Sequence, residues 1–280
     1  MAIGIPRSGE QYVEAIDDHI RQLLALREGA TDPPSTPQYA ATVMLIREDP
    51  VEVFMIQRAH TMAFMPDVVV FPGGRADPSD ADPDLGWVGP SPGQWAERMG
   101  LDETSARMVV VAATREVFEE TGVLLAGPDA DTLVRLDNPG SWVADRERLA
   151  RHGESFAGFL KRKNLVLRSD LLGLRSRWLT PEYEPRRYDT FFFAALVPPG
   201  QTPDSQTREA ARGLWAEPTA LMEVGDAGKL LLVSPTEYNL FYLAQAPSGA
   251  QFVAENPPVS QITMYPRIDD GETVLYLVWP

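Results

Sequence analysis

A chain of 280 residues with 44% apolar side chains can build one large domain or two small ones around a sizeable core. Its net charge of −15 works against nucleic-acid and anionic-membrane partners, which are bound through clustered Lys and Arg. An anionic small molecule remains open to it if metal ions supply the positive charge, whereas the complete lack of Cys excludes disulfides, thiolate metal sites and a Cys nucleophile.

The first residues show no basic-then-apolar leader and too many acids for a transit peptide. The final LVWP is no recognised anchor or address, so a cytoplasmic protein is expected. Residues 11–26 place Val13, Ile16, Ile20, Leu23 and Leu24 at helical spacing behind Ser8 as a cap, which predicts one amphipathic helix. The breaker-rich TDPPSTP makes the rest of residues 1–36 a linker. Two strand-like runs follow, 40–47 and 51–58, joined by a turn at Asp49 and Pro50; a third, 68–71, stops at Pro72-Gly73-Gly74.

Residues 75–100 are rich in Asp, Pro, Gly and Ser without a period, and predict a long irregular surface loop. Asp80, Asp82 and Asp84 do not complete a calcium loop, because Gly86 falls one place late and Ser91 stands where a bidentate Glu is required. A helix is expected to begin between residues 101 and 106, capped by Asp102 or Thr104, and to end at Thr121. There Gly122 followed by Val123 gives a left-handed stop. Beyond it the pattern predicts one helix over 145–163, strands over 188–197 and 213–216, and a helix over 235–244. A hairpin over 262–279 turns at Asp270 and Gly271. The longest apolar run, 191–197, is too short to span a bilayer and reads as a buried strand. The whole indicates an α/β or α+β domain over residues 37–245, with residues 246–280 as an extension packed on it.

The chemistry sits in Arg115-Glu116-Val117-Phe118-Glu119-Glu120-Thr121-Gly122-Val123. Successive helical residues are about 100° apart, so Glu116, Glu119 and Glu120 leave one side of a helix, and Arg115 stands where it can orient Glu119. One Arg cannot offset three carboxylates; divalent cations can, and an all-oxygen site suits Mg²⁺ or Mn²⁺.

This string matches the second half of the Nudix box, G-x5-E-x7-R-E-U-x-E-E-x-G-U with U aliphatic, and Pro72-Gly73-Gly74 matches its start. The chain therefore resembles the Nudix hydrolases. The resemblance implies a mixed β-sheet sandwiched between helices and Mg²⁺- or Mn²⁺-dependent hydrolysis of nucleoside diphosphates linked to another group. The box is split by an insert over residues 75–101. Eight places before Arg115 stands Arg107, not Glu, which leaves Glu103 as the nearest substitute for the first acid.

A split box resembles the peroxisomal coenzyme A diphosphatase branch. Arg58-Ala59 and Phe71-Pro72-Gly73-Gly74 keep the spacing of its R-[SA]-x3-R-x3-G-x3-F-P-G-G signature, with Ala63 for its Arg and Asp67 for its Gly. The segments Phe64-Met65-Pro66, Trp178-Leu179-Thr180-Pro181 and Pro185-Arg186-Arg187-Tyr188-Asp189-Thr190 are similar to that branch as well. The implied metal ligands are Glu116, Glu119 and Glu120 with a carbonyl near Gly74. Arg115 and either Glu119 or the loop acid Glu209 serve catalysis, and Arg58, Arg186 and Arg187 hold substrate phosphate. The implied partner is a small nucleotide-like substrate, with no nucleic acid and no membrane; a homodimer is left open. Coenzyme A or acyl-coenzyme A leads, with ADP-ribose, a dinucleotide or a nucleotide sugar as the alternative. A non-catalytic Nudix module that senses such a ligand is the alternative of another class.

Overall fold

The computed structural model describes residues 12–15, 18–28, 30–58, 68–136, 142–204, 210–269 and 272–278. In chain order, β1 (Tyr12–Ala15) and α1 (Asp18–Glu28) precede β2 (Gln38–Arg47), β3 (Glu52–Arg58), β4 (Val69–Val70) and β5 (Gly73–Arg75). Then come β6 (Trp87–Val88), α2 (Pro92–Met99), α3 (Glu103–Thr121), β7 (Ala126–Gly127), α4 (Val143–Ala150), α5 (Phe156–Arg162) and β8 (Val166–Arg168). The rest comprises β9 (Gly173–Leu179), β10 (Tyr188–Leu196), β11 (Ala210–Ala216), α6 (Pro218–Asp226), α7 (Ser234–Gln245), α8 (Gly249–Ala254), β12 (Gln261–Asp269) and β13 (Glu272–Val278).

One mixed sheet runs β1-β13-β12-β9-β10-β2-β3-β11, with β4 on β3 and β5 on β2. The pairs β10/β2 and β12/β9 are parallel. Successive side chains of a strand face opposite ways, and both faces are covered here. From β2 and β10, Ala41, Val43, Leu45, Phe191 and Phe193 meet Val109, Val110 and Val117 of α3. The alternate residues Met44, Ile46, Phe192 and Ala194 meet Leu221 of α6, Leu240 and Leu243 of α7 and Phe252 of α8. Two-sided burial explains why these strands read as unbroken apolar runs. The fold is thus α+β, a mixed sheet between helices, and its terminal hairpin continues the sheet beside β9. Among the described residues no helix is long and apolar enough to cross a membrane.

Three expectations change. Residues 11–26 are not one helix: β1 pairs with β13, and α1 begins only at Asp18 and lays Ile20, Leu23 and Leu24 on Leu275 and Tyr183. The proposed cap Ser8 lies outside the described residues. The single helix over 145–163 is two, because His152 takes a left-handed φ of 53° and Ser155 caps a fresh start at α5.

The insert is not irregular. It opens with a 3-10 turn, Pro78–Ala81, and contains α2, whose capping box pairs Ser91 with Gln94 and whose Trp95 and Met99 are buried one turn apart. The start of α3 falls as read, with Asp102 capping it by accepting from the Ser105 amide at 2.9 Å.

Candidate active site

Helix α3 is clamped from within. Val117, Phe118 and Thr121 face the core, where Phe118 stacks on Phe159 at 5.1 Å and meets Trp142 edge-on at 6.2 Å. Burying a side chain of that size contributes about 1.5–3 kcal/mol. It also fixes the rotation of the helix, so Glu116, Glu119 and Glu120 must lie on the other side, where they are half-buried. Gly122 ends the helix at φ 76°, a left-handed conformation suited to glycine, and its amide closes on the Phe118 carbonyl.

The strand-to-loop corner Pro72-Gly73-Gly74 meets this acidic side directly. The Gly73 amide donates to Glu120 Oε2 at 2.8 Å. A Cβ on Gly74 would stand 2.6 Å from the Glu116 carboxylate, and one on Gly73 would stand 2.5 Å from the Ala41 carbonyl oxygen. Two glycines are needed because side-chain acid and strand backbone approach the same corner.

Arg115 spends its guanidinium among acids. Nη1 donates to Glu116 at 2.7 Å and Glu119 at 3.2 Å, while Nη2 donates to the Arg75 carbonyl at 2.9 Å. Nε and Nη2 each reach Asp80 at 3.0 Å. Asp80 is only 1% exposed and sits in the 3-10 turn of the insert. Sequence counting missed it because it ran backwards from Arg115 and met Arg107. Counted forwards from Gly74, the G-x5-E spacing falls on Asp80. Asp80 therefore stands at the place of the box's first acid, within the insert, and Glu103 does not replace that acid: it is exposed and lies 3.9 Å from Arg107.

Burial raises the Asp80 carboxyl despite the guanidinium beside it. Burial would lower Arg115, yet the charges of Glu116, Asp80 and Glu119 and the bond to Asp80 hold it above its ordinary range. Glu119 is pushed up to about 7, first by burial and then by the Glu116 charge.

The remaining sequence candidates separate. Arg58 ends β3 opposite Ala210 of β11, and Glu209 lies outside the described residues. Arg186 is exposed. Arg187 is 8% exposed and donates to the Thr180 and Ser35 carbonyls at 3.0 and 3.1 Å, tying the start of β10 to the segment before β2.

Among the described residues no three acids converge on one point; Arg115 and the Gly73 amide draw them apart. Their chemistry nevertheless fits a hard divalent cation. All donors are oxygens, Glu116 and Glu119 flank a single guanidinium nitrogen, and burial, followed by the Glu116 charge, opposes ionisation of Glu119.

Comparison with known proteins agrees with this geometry. The NUDT19 Nudix domain family matches residues 96–243. A protein named nudix hydrolase 7 from Caenorhabditis elegans is 31% identical over 209 residues, 74% of this chain and 60% of that protein. Acyl-coenzyme A diphosphatase NUDT19 from Homo sapiens is 28% identical over 257 residues, 78% of this chain and 65% of that protein. A solved structure, a NUDIX hydrolase from Alicyclobacillus acidocaldarius, superposes with a TM-score of 0.65 at 27% identity, covering 80% of this chain and 98% of that one. This chain spans about three fifths of the length of the curated relatives it matches. With the match taking in more than half of its residues, the chain belongs to the NUDT19 Nudix domain family.

Proposed function

We propose that the chain is a Nudix-type diphosphatase that uses Mg²⁺ or Mn²⁺ to hydrolyse a nucleotide-like metabolite, with coenzyme A or acyl-coenzyme A as its substrate class. The observation that carries the reading is the acidic side of α3, held against Gly73 and Gly74 by Arg115 and Asp80.

Glu116, Glu119 and Glu120 would hold the ions, with a backbone carbonyl near Gly74 as a further donor. Ions held there would supply positive charge for the diphosphate oxygens and acidify water. Arg115 keeps Glu116 and Glu119 aimed outward, so the ligands are oriented before substrate arrives. Water attacks one phosphorus, the bridging P–O bond breaks, and two monophosphate esters leave. The water's proton passes to Glu119 or Glu209. A Glu209→Gln variant that keeps wild-type turnover assigns that task to Glu119.

Coenzyme A joins a 3′-phosphorylated adenosine to pantetheine through a diphosphate, which offers a cleavable linkage and an extra anionic handle. Arg58 and the exposed Arg186 are the residues to hold that handle. The human relative, named an acyl-coenzyme A diphosphatase, supports this substrate class. Ala63 and Asp67, which depart from the coenzyme A signature, favour ADP-ribose or a dinucleotide as the second reading. The test is kcat/KM for coenzyme A, 3′-dephospho-coenzyme A, ADP-ribose and NADH under one metal condition. Coenzyme A should lead, with a measurable loss when its 3′-phosphate is removed. Faster turnover of ADP-ribose with no effect of the 3′-phosphate would overturn the substrate class and leave the diphosphatase chemistry intact.

A further inference from the structure

Two of the three acids, Glu119 and Glu120, stand in the last turn of α3. Unpaired carbonyls make a helix C-terminus negative, so that end disfavours carboxylates and favours a cation. The structure provides one from α4. Arg146, 5% exposed, directs Nε and Nη2 at the Glu119 backbone carbonyl at 3.3 and 3.2 Å. Its Nη1 binds both carboxylate oxygens of Asp204 at 2.9 and 3.0 Å.

Asp204 is itself tied to the helix, since its amide donates to the Thr121 carbonyl at 2.8 Å. Gly122 makes room for the arrangement. A Cβ there would stand 3.1 Å from Arg146 Nη1 and 3.6 Å from an Asp204 carboxylate oxygen. The glycine that ends the box thus serves twice, by its left-handed φ and by the space it leaves for a guanidinium.

We propose that Arg146, braced by Asp204, is a positioning residue for the carboxylate site. It fixes the backbone at Glu119 and so the direction in which Glu119 and Glu120 leave the helix, and it places a positive charge where the helix end is negative. Groups that orient metal ligands in this way typically change metal affinity on the order of tenfold or more when removed. The inference rests on reading those acids as ion ligands.

The test uses the full chain and Mn²⁺ alone, with free Mn²⁺ followed by electron paramagnetic resonance, alongside kcat and KM at saturating Mn²⁺. Arg146→Ala should weaken Mn²⁺ binding on the order of tenfold and lower kcat with KM little changed. Asp204→Asn, which keeps the guanidinium but loosens its brace, should move both in the same direction by less. Arg162→Ala is the control, because it breaks the bonds to Asp145 and Glu154 that join α4 to α5. It should lower the melting temperature without shifting Mn²⁺ affinity.

The proposal is overturned if Arg146→Ala behaves like that control, losing stability while Mn²⁺ affinity and kcat stay at wild type. If Arg146→Ala does not fold, wild-type Mn²⁺ affinity in Asp204→Asn overturns it. Glu120→Gln separates the two readings. If it loses Mn²⁺ and the Arg146 and Asp204 variants do not, only the positioning role fails; if it binds Mn²⁺ like wild type, the ligand reading fails and this inference with it.

Discussion

At Glu119 the opposition between burial and ionisation is measurable. Burial and the Glu116 charge raise its carboxyl from the 4.5 of a free side chain to about 7. A folded value above the unfolded one means that ionisation opposes folding. The penalty is absent below pH 4.5, grows from there to about pH 7 and is complete above that. With a chelator present, the wild-type melting temperature should therefore fall as pH rises through this window, and the Glu119→Gln curve should be flatter. Turnover of Glu119→Gln and Glu120→Gln should drop by orders of magnitude while stability is unchanged or raised, because a neutral amide is a poor ligand for a hard cation.

The two glycines of the corner should part company. Gly74→Ala meets the mobile end of Glu116, so the fold should survive while Mn²⁺ affinity falls. Gly73→Ala meets the Ala41 backbone and should lower the melting temperature instead. Melting curves and Mn²⁺ titrations of both variants check the contrast. At this scale the acids of α3 were legible, because a 3.6-residue period alone puts them on one side. Asp80 is legible only when the box is counted forward from Gly74, because the insert puts it 35 residues from its partner Arg115.

Among the elements, α3 was readable from end to end by its Asp102 cap, its apolar stripe and its Gly122 stop. Helix α2 escaped notice because it has eight residues, two of them Pro92 and Gly93, so composition hid a capping box and a buried Trp95. Strand β9 was missed for a related reason. Arg175, Ser176 and Arg177 interrupt its apolar pattern, yet Arg177 is satisfied by Asp189 at 2.6 Å and Ser176 by Asn239 at 3.0 Å.

The insert is more than a neighbour of the site, since it supplies the acid that anchors Arg115. Asp80→Ala should destabilise the protein by about 3–5 kcal/mol, the usual effect of removing one partner of a buried ion pair. The exposed Asp84→Ala should change it by about 0.5 kcal/mol or less. Denaturant unfolding of the two variants, with kcat for Asp80→Ala, gives the comparison. Equal stability would show that the insert does not hold the arginine.

For the molecule as a whole, the α+β class followed from where apolar runs and helical periods lie, and the sheet-between-helices arrangement from the resemblance to the Nudix hydrolases. The order of strands did not. Nothing local in residues 261–269 says that they run parallel to β9 or that β13 carries β1 beside it. Pairing of that kind is decided by which edge remains after the central strands are buried.

The charge of −15 makes the same point about function. An acidic protein can take an anionic substrate only if its site inverts the local sign, and under the proposed function the acids of α3 would do so by collecting cations. The most direct measurement is phosphorus NMR of coenzyme A incubated with the wild-type chain, with the wild type plus chelator, and with Glu120→Gln, each with Mg²⁺. The account predicts that the diphosphate signal gives way to two monophosphate esters in the first sample alone, with Glu120→Gln folded. Cleavage by Glu120→Gln at the wild-type rate, or cleavage undiminished by chelator, would contradict it.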